Sequence, residues 1–389
     1  MADTLVVMPA TDAALQKLID QVHAARDAKR TLEIRGGGTK AFYGGVPRGT
    51  PLDVRALSGI SSYEPSELVV TARAGTPLAE LEAELAAKGQ CLAFEPPRFG
   101  AAAAAAGAAG TASTGRETTG GTVGGMVAAG LAGPARAAVG GVRDYVLGAT
   151  LLNGRGELLN FGGTVMKNVA GYDVSRLLAG SMGVLGVLCQ VSLKVLPAAM
   201  ATCTLRFEMT AAAAIKQLND WGGQPLPINA SAWWDGMLVV RLSGAQAAVQ
   251  SAAQKLGGEN IDAILAAGFW AGLRDHGDEY FVGARKAVEA GASLWRLSLP
   301  SVAGPLKLSG EQLIEWGGAQ RWLCTSTPAA QVRDAAAFEG GHATLFRGGD
   351  KSAGVFAPLS PPLARIHRAL KKSFDPDGIF NPGRLYADL

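Results

Sequence analysis

Cysteine and histidine are scarce in this 389-residue chain, which holds four of each. The cysteines are Cys91, Cys189, Cys203 and Cys324, and no two of them form a C-x-x-C pair. Disulfide frameworks, zinc knuckles and cysteine-ligated iron–sulfur clusters need closer or repeated spacings. We therefore expect reduced, buried thiols, which are typical of a cytoplasmic protein.

Neither sign of charge predominates, because the chain has 36 basic and 33 acidic residues and a net charge of +3. Lys and Arg never occur in runs longer than two, which argues against a nucleic-acid footprint and a polybasic membrane arm. The N-terminus has no signal-peptide pattern. The most apolar window, residues 177–197, is interrupted by Gln190, Lys194 and three glycines, so it predicts strands and no membrane span.

Glycine is in excess: the chain has 52, about 13% of its residues against the usual ~7%. Three of them, at 36–38, follow a predicted strand over residues 31–35. Their spacing to Ala41 matches the dinucleotide fingerprint, but glycines and a proline at 44–47 leave no room for the helix that a Rossmann site requires. Successive glycines, flanked by Arg35 and Lys40, instead suit a nest of backbone N–H groups around a phosphate.

A second glycine cluster occupies positions 120, 121, 124 and 125. Two nests on one ligand would suit a pyrophosphate. For either cluster alone, a tight turn remains the alternative. Between these clusters, residues 100–120 consist mainly of alanine, glycine and threonine, and we expect a mobile, low-complexity insertion there.

The pattern changes after Pro197. A predicted strand at 203–209, a helix at 211–221, a hairpin turning at Asp235 and Gly236, and a helix at 245–256 follow in order. This β-α-β-β-α order predicts an antiparallel sheet with helices on one face.

Several motifs now occur in a recognisable order. At the class level they are residues 35–40, 124–128, 142–148 and 183–188; narrower ones are 165–173, 313–318, 341–344 and 380–386. The first group resembles the FAD-binding domain of the vanillyl-alcohol oxidase/PCMH class. With the second group, nearly the whole chain resembles the FAD-binding E subunits of glycolate oxidase (glycolate dehydrogenase).

The resemblance implies an α+β fold with a two-part, PCMH-type FAD-binding domain. Residues 1–197 would form its first part, 198–350 an antiparallel α+β cap, and 351–389 a segment that returns to the FAD domain. Related proteins often attach the flavin to a histidine of the first loop. Since that loop contains none here, we expect non-covalent FAD.

By position, the resemblance assigns the pyrophosphate to the first loop and to Gly124 and Gly125. Residues 143–144 and 183–187 would shape the adenosine-to-ribityl channel, and residues 167–172 with Asn381 would approach the flavin ring. The residues implied at the cofactor are Arg35, Gly36, Gly37, Gly38, Thr39, Lys40, Gly121, Thr122, Gly124, Gly125, Met126, Arg143, Asp144, Lys167, Asn168, Tyr172, Gly183, Gly186, Val187 and Asn381. A local ion pair at 143–144 and a simple turn at 381–383 are the alternatives.

Catalytic residues are not identified. His23, His276, His342 and His367 are isolated in the sequence, so a paired-histidine metal site has no support. Oxidation of a 2-hydroxy acid requires a cation for the carboxylate and a base for the hydroxyl proton. His342, Arg347 and Arg384 are candidates, although packed or solvated side chains are the more common interpretation. The same holds for Trp233 and Trp234, which are better explained as hairpin core or interface than as a substrate wall.

Three functional hypotheses follow. In the favoured one, the chain is the FAD-binding subunit of a multisubunit glycolate dehydrogenase that oxidises glycolate to glyoxylate. It would relay electrons or support assembly beside a catalytic sister flavoprotein and an Fe–S subunit, in the cytoplasm or peripherally at the inner membrane. The alternatives are a self-sufficient, D-lactate-type 2-hydroxyacid dehydrogenase and a non-catalytic scaffold.

Overall fold

The computed structural model describes residues 12–100, 120–164 and 172–389. Most of the predicted insertion, together with Lys167 and Asn168, lies outside the described residues. The helices are α1 (Ala13–Asp27), α2 (Leu78–Ala87), α3 (Val123–Ala129), α4 (Arg136–Val139), α5 (Val174–Leu177), α6 (Ala211–Gly222), α7 (Gln246–Leu256), α8 (Ala263–Asp275), α9 (Glu279–Glu289), α10 (Ala329–Phe338) and α11 (Pro361–Phe374).

The strands divide into two large sheets and two short pairs. They are β1 (Leu32–Arg35), β2 (Thr50–Asp53), β3 (Ile60–Glu64), β4 (Val69–Arg73), β5 (Gln90–Cys91), β6 (Val146–Leu152), β7 (Leu158–Gly162), β8 (Val187–Lys194), β9 (Leu196–Pro197), β10 (Ala201–Glu208), β11 (Ile228–Trp234), β12 (Met237–Gly244), β13 (Glu259–Asn260), β14 (Ser293–Ser298), β15 (Glu311–Glu315), β16 (Gln320–Thr325) and β17 (His342–Arg347).

A small lobe forms around β1 and β2. These strands pair in parallel, with Leu32 opposite Thr50, and Phe380 from the C-terminal segment bridges to Leu32 on its other side. α1 packs here through buried side chains such as Leu18 and Val22. Its N-cap is Asp12, whose carboxylate accepts from two backbone N–H groups.

A five-stranded antiparallel sheet forms the larger part of the N-terminal half, with strand order β3-β4-β8-β6-β7. All seven residues of β6 are buried. α2 and α3 pack into the same apolar cluster as this sheet. Leu152, Val187 and Cys189 of the sheet pack in the apolar cluster of the small lobe, so the two are held beside one another, and the loops of both reach the cleft described below.

An eight-stranded sheet spans residues 201–347 in the order β13-β10-β12-β11-β15-β16-β14-β17, with antiparallel pairing throughout. We call it the cap sheet. The predicted hairpin is present, with φ of 46° at Asp235 and 80° at Gly236, as a type I′ turn requires.

Both faces of the cap sheet are covered, so the expectation of helices on one face is incomplete. α6, α7 and α10 pack against one face. α8 and α9 pack against the other face. Successive side chains of a strand point to opposite faces of the sheet, so the strands supply side chains to both layers. The segment at Phe42 and Tyr43 packs on that second face, so the cap sheet contacts the loop that follows the first glycine cluster.

Candidate functional site

A cleft opens where the small lobe, α3 and the C-terminal segment meet, and it contains about 870 Å³ of space, its open mouth included. Many of the predicted cofactor residues are brought together here, although they are more than 300 positions apart in the chain. Those that line the cleft are Arg35, Gly36, Gly37, Gly38, Thr39, Lys40, Thr122, Gly124, Gly125, Gly183, Gly186 and Asn381.

The first glycine loop presents open backbone to this cleft. Within the described residues, no hydrogen bond uses the N–H groups of residues 37–40. Gly38 has φ +72°, and a β-carbon there would stand 3.0 Å from Nη2 of Arg35, so the guanidinium folds over the loop. A β-carbon on Gly36 would overlap the Thr122 hydroxyl. Glycine thus permits both the turn and the close approach to α3.

In the second glycine cluster, Gly124 and Gly125 use their N–H groups within the protein. The N–H of Val123 donates to Thr76 O, and that of Gly124 donates to Ala74 O. The N–H of Gly125 donates to Thr122 Oγ1 at 3.2 Å. Since these donors are already used, Gly124 and Gly125 line the cleft by close packing and do not present open N–H groups. A β-carbon on Gly124 would lie only 2.7 Å from that of Ala74.

Lys40 supplies a positive charge without a carboxylate partner among the described residues. Its Nζ lies 3.5 Å from Thr39 Oγ1 and 3.5 Å from where a Gly121 β-carbon would stand. Burial among protein atoms lowers the pKa of the Lys40 ammonium to about 8. Open N–H groups and an unpaired cation on one loop fit an anionic group such as a pyrophosphate.

Asn381 joins the two chain ends at the cleft. Its side chain is 6% exposed. Its Oδ1 accepts from Ile34 N at 2.7 Å, and its Nδ2 donates to Met182 O at 2.7 Å. With φ +43°, it is a left-handed position that asparagine tolerates. The Asn381 side chain is therefore a clamp that connects β1 to the turn at residues 182–183. The simple backbone turn considered from the sequence does not include this role.

Arg384 also lines the cleft, but its guanidinium donates to backbone carbonyls of Ala41, Tyr43 and Gly45. It orders the segment that follows Lys40, and this use leaves the role of carboxylate holder unsupported. The lining residues that sequence reasoning did not assign to the cofactor are Glu33, Ile34, Ala41, Pro47, Val54, Ala74, Ala128, Ala129, Met182, Leu188 and Arg384. Helical spacing from Gly124 and Gly125 could have indicated Ala128 and Ala129.

Comparison with known proteins now bears on this geometry. A family model described as "FAD binding domain" matches residues 4–121. The glycolate oxidase subunit GlcE of Escherichia coli (strain K12) is 46% identical over 96% of this chain and 98% of its own length. The chain belongs to the GlcE family. FAD is therefore the cofactor of this chain, and the suspected relationship is confirmed.

Other relatives of this GlcE-family chain match over shorter stretches. The glycolate oxidase subunit GlcD of Bacillus subtilis (strain 168) is 37% identical over 20% of the chain and 16% of its own length. A D-lactate dehydrogenase of Archaeoglobus fulgidus is 31% identical over 42% of the chain and 33% of its own length. Alkyldihydroxyacetonephosphate synthase has a similar fold, with a TM-score of 0.60 at 15% identity over 97% of this chain and 77% of that one. The predicted α+β, PCMH-type fold is confirmed.

Six further predicted cofactor residues of this GlcE-family chain lie within the described ranges and do not line the cleft. Met126 and Val187 are buried in apolar clusters. Arg143 and Asp144 lie in an exposed 3₁₀ turn, where the Asp144 carboxylate accepts from Gly141 N at 2.8 Å. Tyr172 is 95% exposed. Gly121 is adjacent to the Lys40 ammonium. Their roles at the cofactor stay predictions.

The catalytic candidates are dispersed. His342 is exposed at the start of β17. The indoles of Trp233 and Trp234 donate to Met209 O and to Glu311 Oε1, as expected of a hairpin. Arg347 lies against Phe42. No group of three His, Cys, Asp or Glu side chains suited to a metal occurs in residues 12–100, 120–164 and 172–389. Over the same ranges, no helix has the length and apolarity to cross a membrane.

Proposed function

We propose that this chain is the FAD-binding subunit of a multisubunit glycolate dehydrogenase that oxidises glycolate to glyoxylate. In that complex it relays electrons or supports assembly beside a catalytic sister flavoprotein, similar to GlcD, and an Fe–S subunit. One observation carries the proposal: similarity to GlcE extends from end to end, whereas the similarity to D-lactate dehydrogenases is confined to part of those enzymes.

The cleft residues support a role in binding. The open N–H groups of residues 37–40 and the ammonium of Lys40 would hold the pyrophosphate. Asn381 would fix the wall beneath the ring system, because both ends of its amide are held. No histidine lies in the first loop, which supports non-covalent attachment. Bound FAD supplies a two-electron acceptor.

The proposed dependence on a catalytic sister subunit rests on the groups that are not found together at the cleft. Among the described residues, no metal cluster and no histidine pair stands beside the cleft. We infer that the isolated chain is inactive and that it works in the cytoplasm, with at most peripheral association at the inner membrane through its complex. We also propose the division into residues 1–197, 198–350 and 351–389 given by the sequence.

Dye reduction by glycolate tests this proposal. We expect none with the FAD-loaded chain alone, and activity when the sister flavoprotein and the Fe–S subunit are added. Activity of the chain alone would support a self-sufficient dehydrogenase instead. Full activity of the two partners without this chain would contradict the proposed role.

A further inference from the structure

Three arginines that form no ion pair with a described residue lie close together where the cap sheet contacts the loop that follows the first glycine cluster. Arg347, at the end of β17, has its guanidinium carbon 3.4 Å from the centroid of the Phe42 ring. Arg296 on β14 donates to the Tyr43 hydroxyl at 3.1 Å. Arg285 on α9 donates to the carbonyl of His276. We name this group the seam arginines.

The seam arginines have spare hydrogen-bonding capacity. Among the described residues none of them forms an ion pair, and Arg347 has no hydrogen-bond acceptor at all. None of their side-chain nitrogens is buried without a hydrogen-bond partner, so the nitrogens that lack a partner are accessible to solvent. The pKa of Arg347 falls to about 10 because burial and the nearby Arg285 disfavour its charge. Neighbouring like charges repel one another, and a bound anion would offset that repulsion.

His276 lies among the seam arginines. It ends α8 with φ +56°, is 6% exposed and stacks on Phe281 with ring centroids 3.7 Å apart. Its Nδ1 is buried and has no hydrogen-bond partner. Burial and the three arginines hold its pKa well below the usual range, so the imidazole is neutral at pH 7. An unpaired buried nitrogen is costly unless a ligand or water satisfies it.

This cluster borders the cofactor cleft. Phe42 and Tyr43 directly follow Lys40 and Ala41, which line the cleft. Met182 both lines the cleft and packs in the same apolar cluster as Phe346 and Trp322, which contact His276. Phe42 and Tyr43, which contact Arg347 and Arg296, are therefore close in the chain to residues that line the cleft.

We propose that Arg347, Arg285 and Arg296 bind the carboxylate of a small 2-hydroxy or 2-oxo acid at this seam. Guanidinium groups bind a carboxylate through paired, charge-assisted hydrogen bonds, and the neutral, buried imidazole of His276 supports the arginines by packing without competing for the anion. The choice of a 2-hydroxy acid rests on the proposed function. The anion site itself does not, because binding there does not require this flavin to be reduced.

Titration of the FAD-loaded chain with glycolate, glyoxylate and oxalate tests the proposal. Intrinsic tryptophan fluorescence is a suitable signal, since Trp322 lies 4.8 Å from the His276 ring, and calorimetry supplies an independent one. We expect saturable binding of the anions and none of the neutral amide glycolamide. Arg347→Gln should weaken binding about tenfold or more, with partial recovery in Arg347→Lys.

Arg365→Gln is the matched control, because Arg365 is exposed on α11, and it should bind as the parent does. Thermal midpoints and FAD content are measured for each variant. If Arg347→Gln does not fold, Arg285→Gln and Arg296→Gln provide the same comparison. Equal anion affinity in parent and folded variants, or no saturable response in the parent, overturns the proposal.

Failure of this inference is distinguishable from failure of the proposed function. A chain that supports glycolate oxidation in the complex but binds no small carboxylate refutes only the seam site. A chain that binds glycolate but adds nothing to its partners refutes only the subunit role. If Arg347→Gln weakens association with the sister flavoprotein while the parent binds no small anion, the cluster is a protein interface and the carboxylate proposal is wrong.

Discussion

FAD affinity should fall as the pH rises above 8, and Lys40 should be the cause. In the chain without FAD, burial lowers the pKa of its ammonium to about 8. A pyrophosphate bound beside Nζ would favour the charged form and raise this pKa again. Binding would then take up a proton at alkaline pH, and by linkage the affinity must decrease as the pH rises.

The magnitude follows from the same pKa. With a value of about 8 in the free chain and a much higher one in the complex, Lys40 is mostly protonated at pH 7 and mostly neutral at pH 9. The dissociation constant for FAD should therefore increase about tenfold between these pH values, which is about 1.4 kcal/mol. Lys40→Met should bind FAD weakly at both and show no such increase.

Quenching of FAD fluorescence on binding to the apo-protein measures these constants. Lys40→Arg should keep affinity and lose the pH dependence, since arginine stays charged over this range. Lys216→Met, at an exposed position on α6, should behave as the parent does. A parent whose affinity is equal at pH 7 and pH 9, or a Lys40→Met variant with the parental profile, would refute the reasoning.

Three further predictions concern stability and the cleft. Gly183→Ala places a β-carbon 2.6 Å from Asn381 Nδ2, at a residue with φ +72°. We therefore expect the free energy of unfolding, measured in urea, to fall by about 1–3 kcal/mol, and the FAD content, measured by absorbance, to fall as well. Unchanged values would contradict this account. Asn381→Ala removes the partners of Ile34 N and Met182 O and should cost about 2–5 kcal/mol of unfolding free energy. Burial raises the pKa of Glu315 to about 7, so the folded state holds a proton that the unfolded state releases. The free energy of unfolding of the parent should therefore decline from about pH 4.5 to pH 7 relative to that of Glu315→Gln. Parallel pH profiles of the parent and the variant would contradict this prediction.

The first glycine loop lines the cleft, and its consecutive glycines between two cationic residues had indicated it as a candidate site from the sequence alone. The sequence was less informative about the second cluster. There the outcome depended on which carbonyls lie opposite, and Thr76 and Ala74 take two of the N–H groups. Such pairing is a tertiary property that composition and spacing do not contain.

Contacts between distant parts of the chain also could not be predicted from the sequence. The parallel bridge from Leu32 to Phe380 and the Asn381 clamp join segments nearly 350 residues apart. His276 has no sequence neighbour of functional interest, yet the fold surrounds it with three arginines. Local patterns, such as the hairpin at Asp235 and Gly236, were predictable because their geometry is set by the residues themselves.

Anaerobic mixing of the FAD-loaded chain with glycolate tests the central claim most directly, with the flavin absorbance as the readout. A flavoprotein subunit that depends on a catalytic sister should keep its oxidised spectrum alone, and glycolate oxidation should appear only when the sister and Fe–S subunits are added. Bleaching of the isolated chain by glycolate, at a rate similar to that of the complex, would contradict the account.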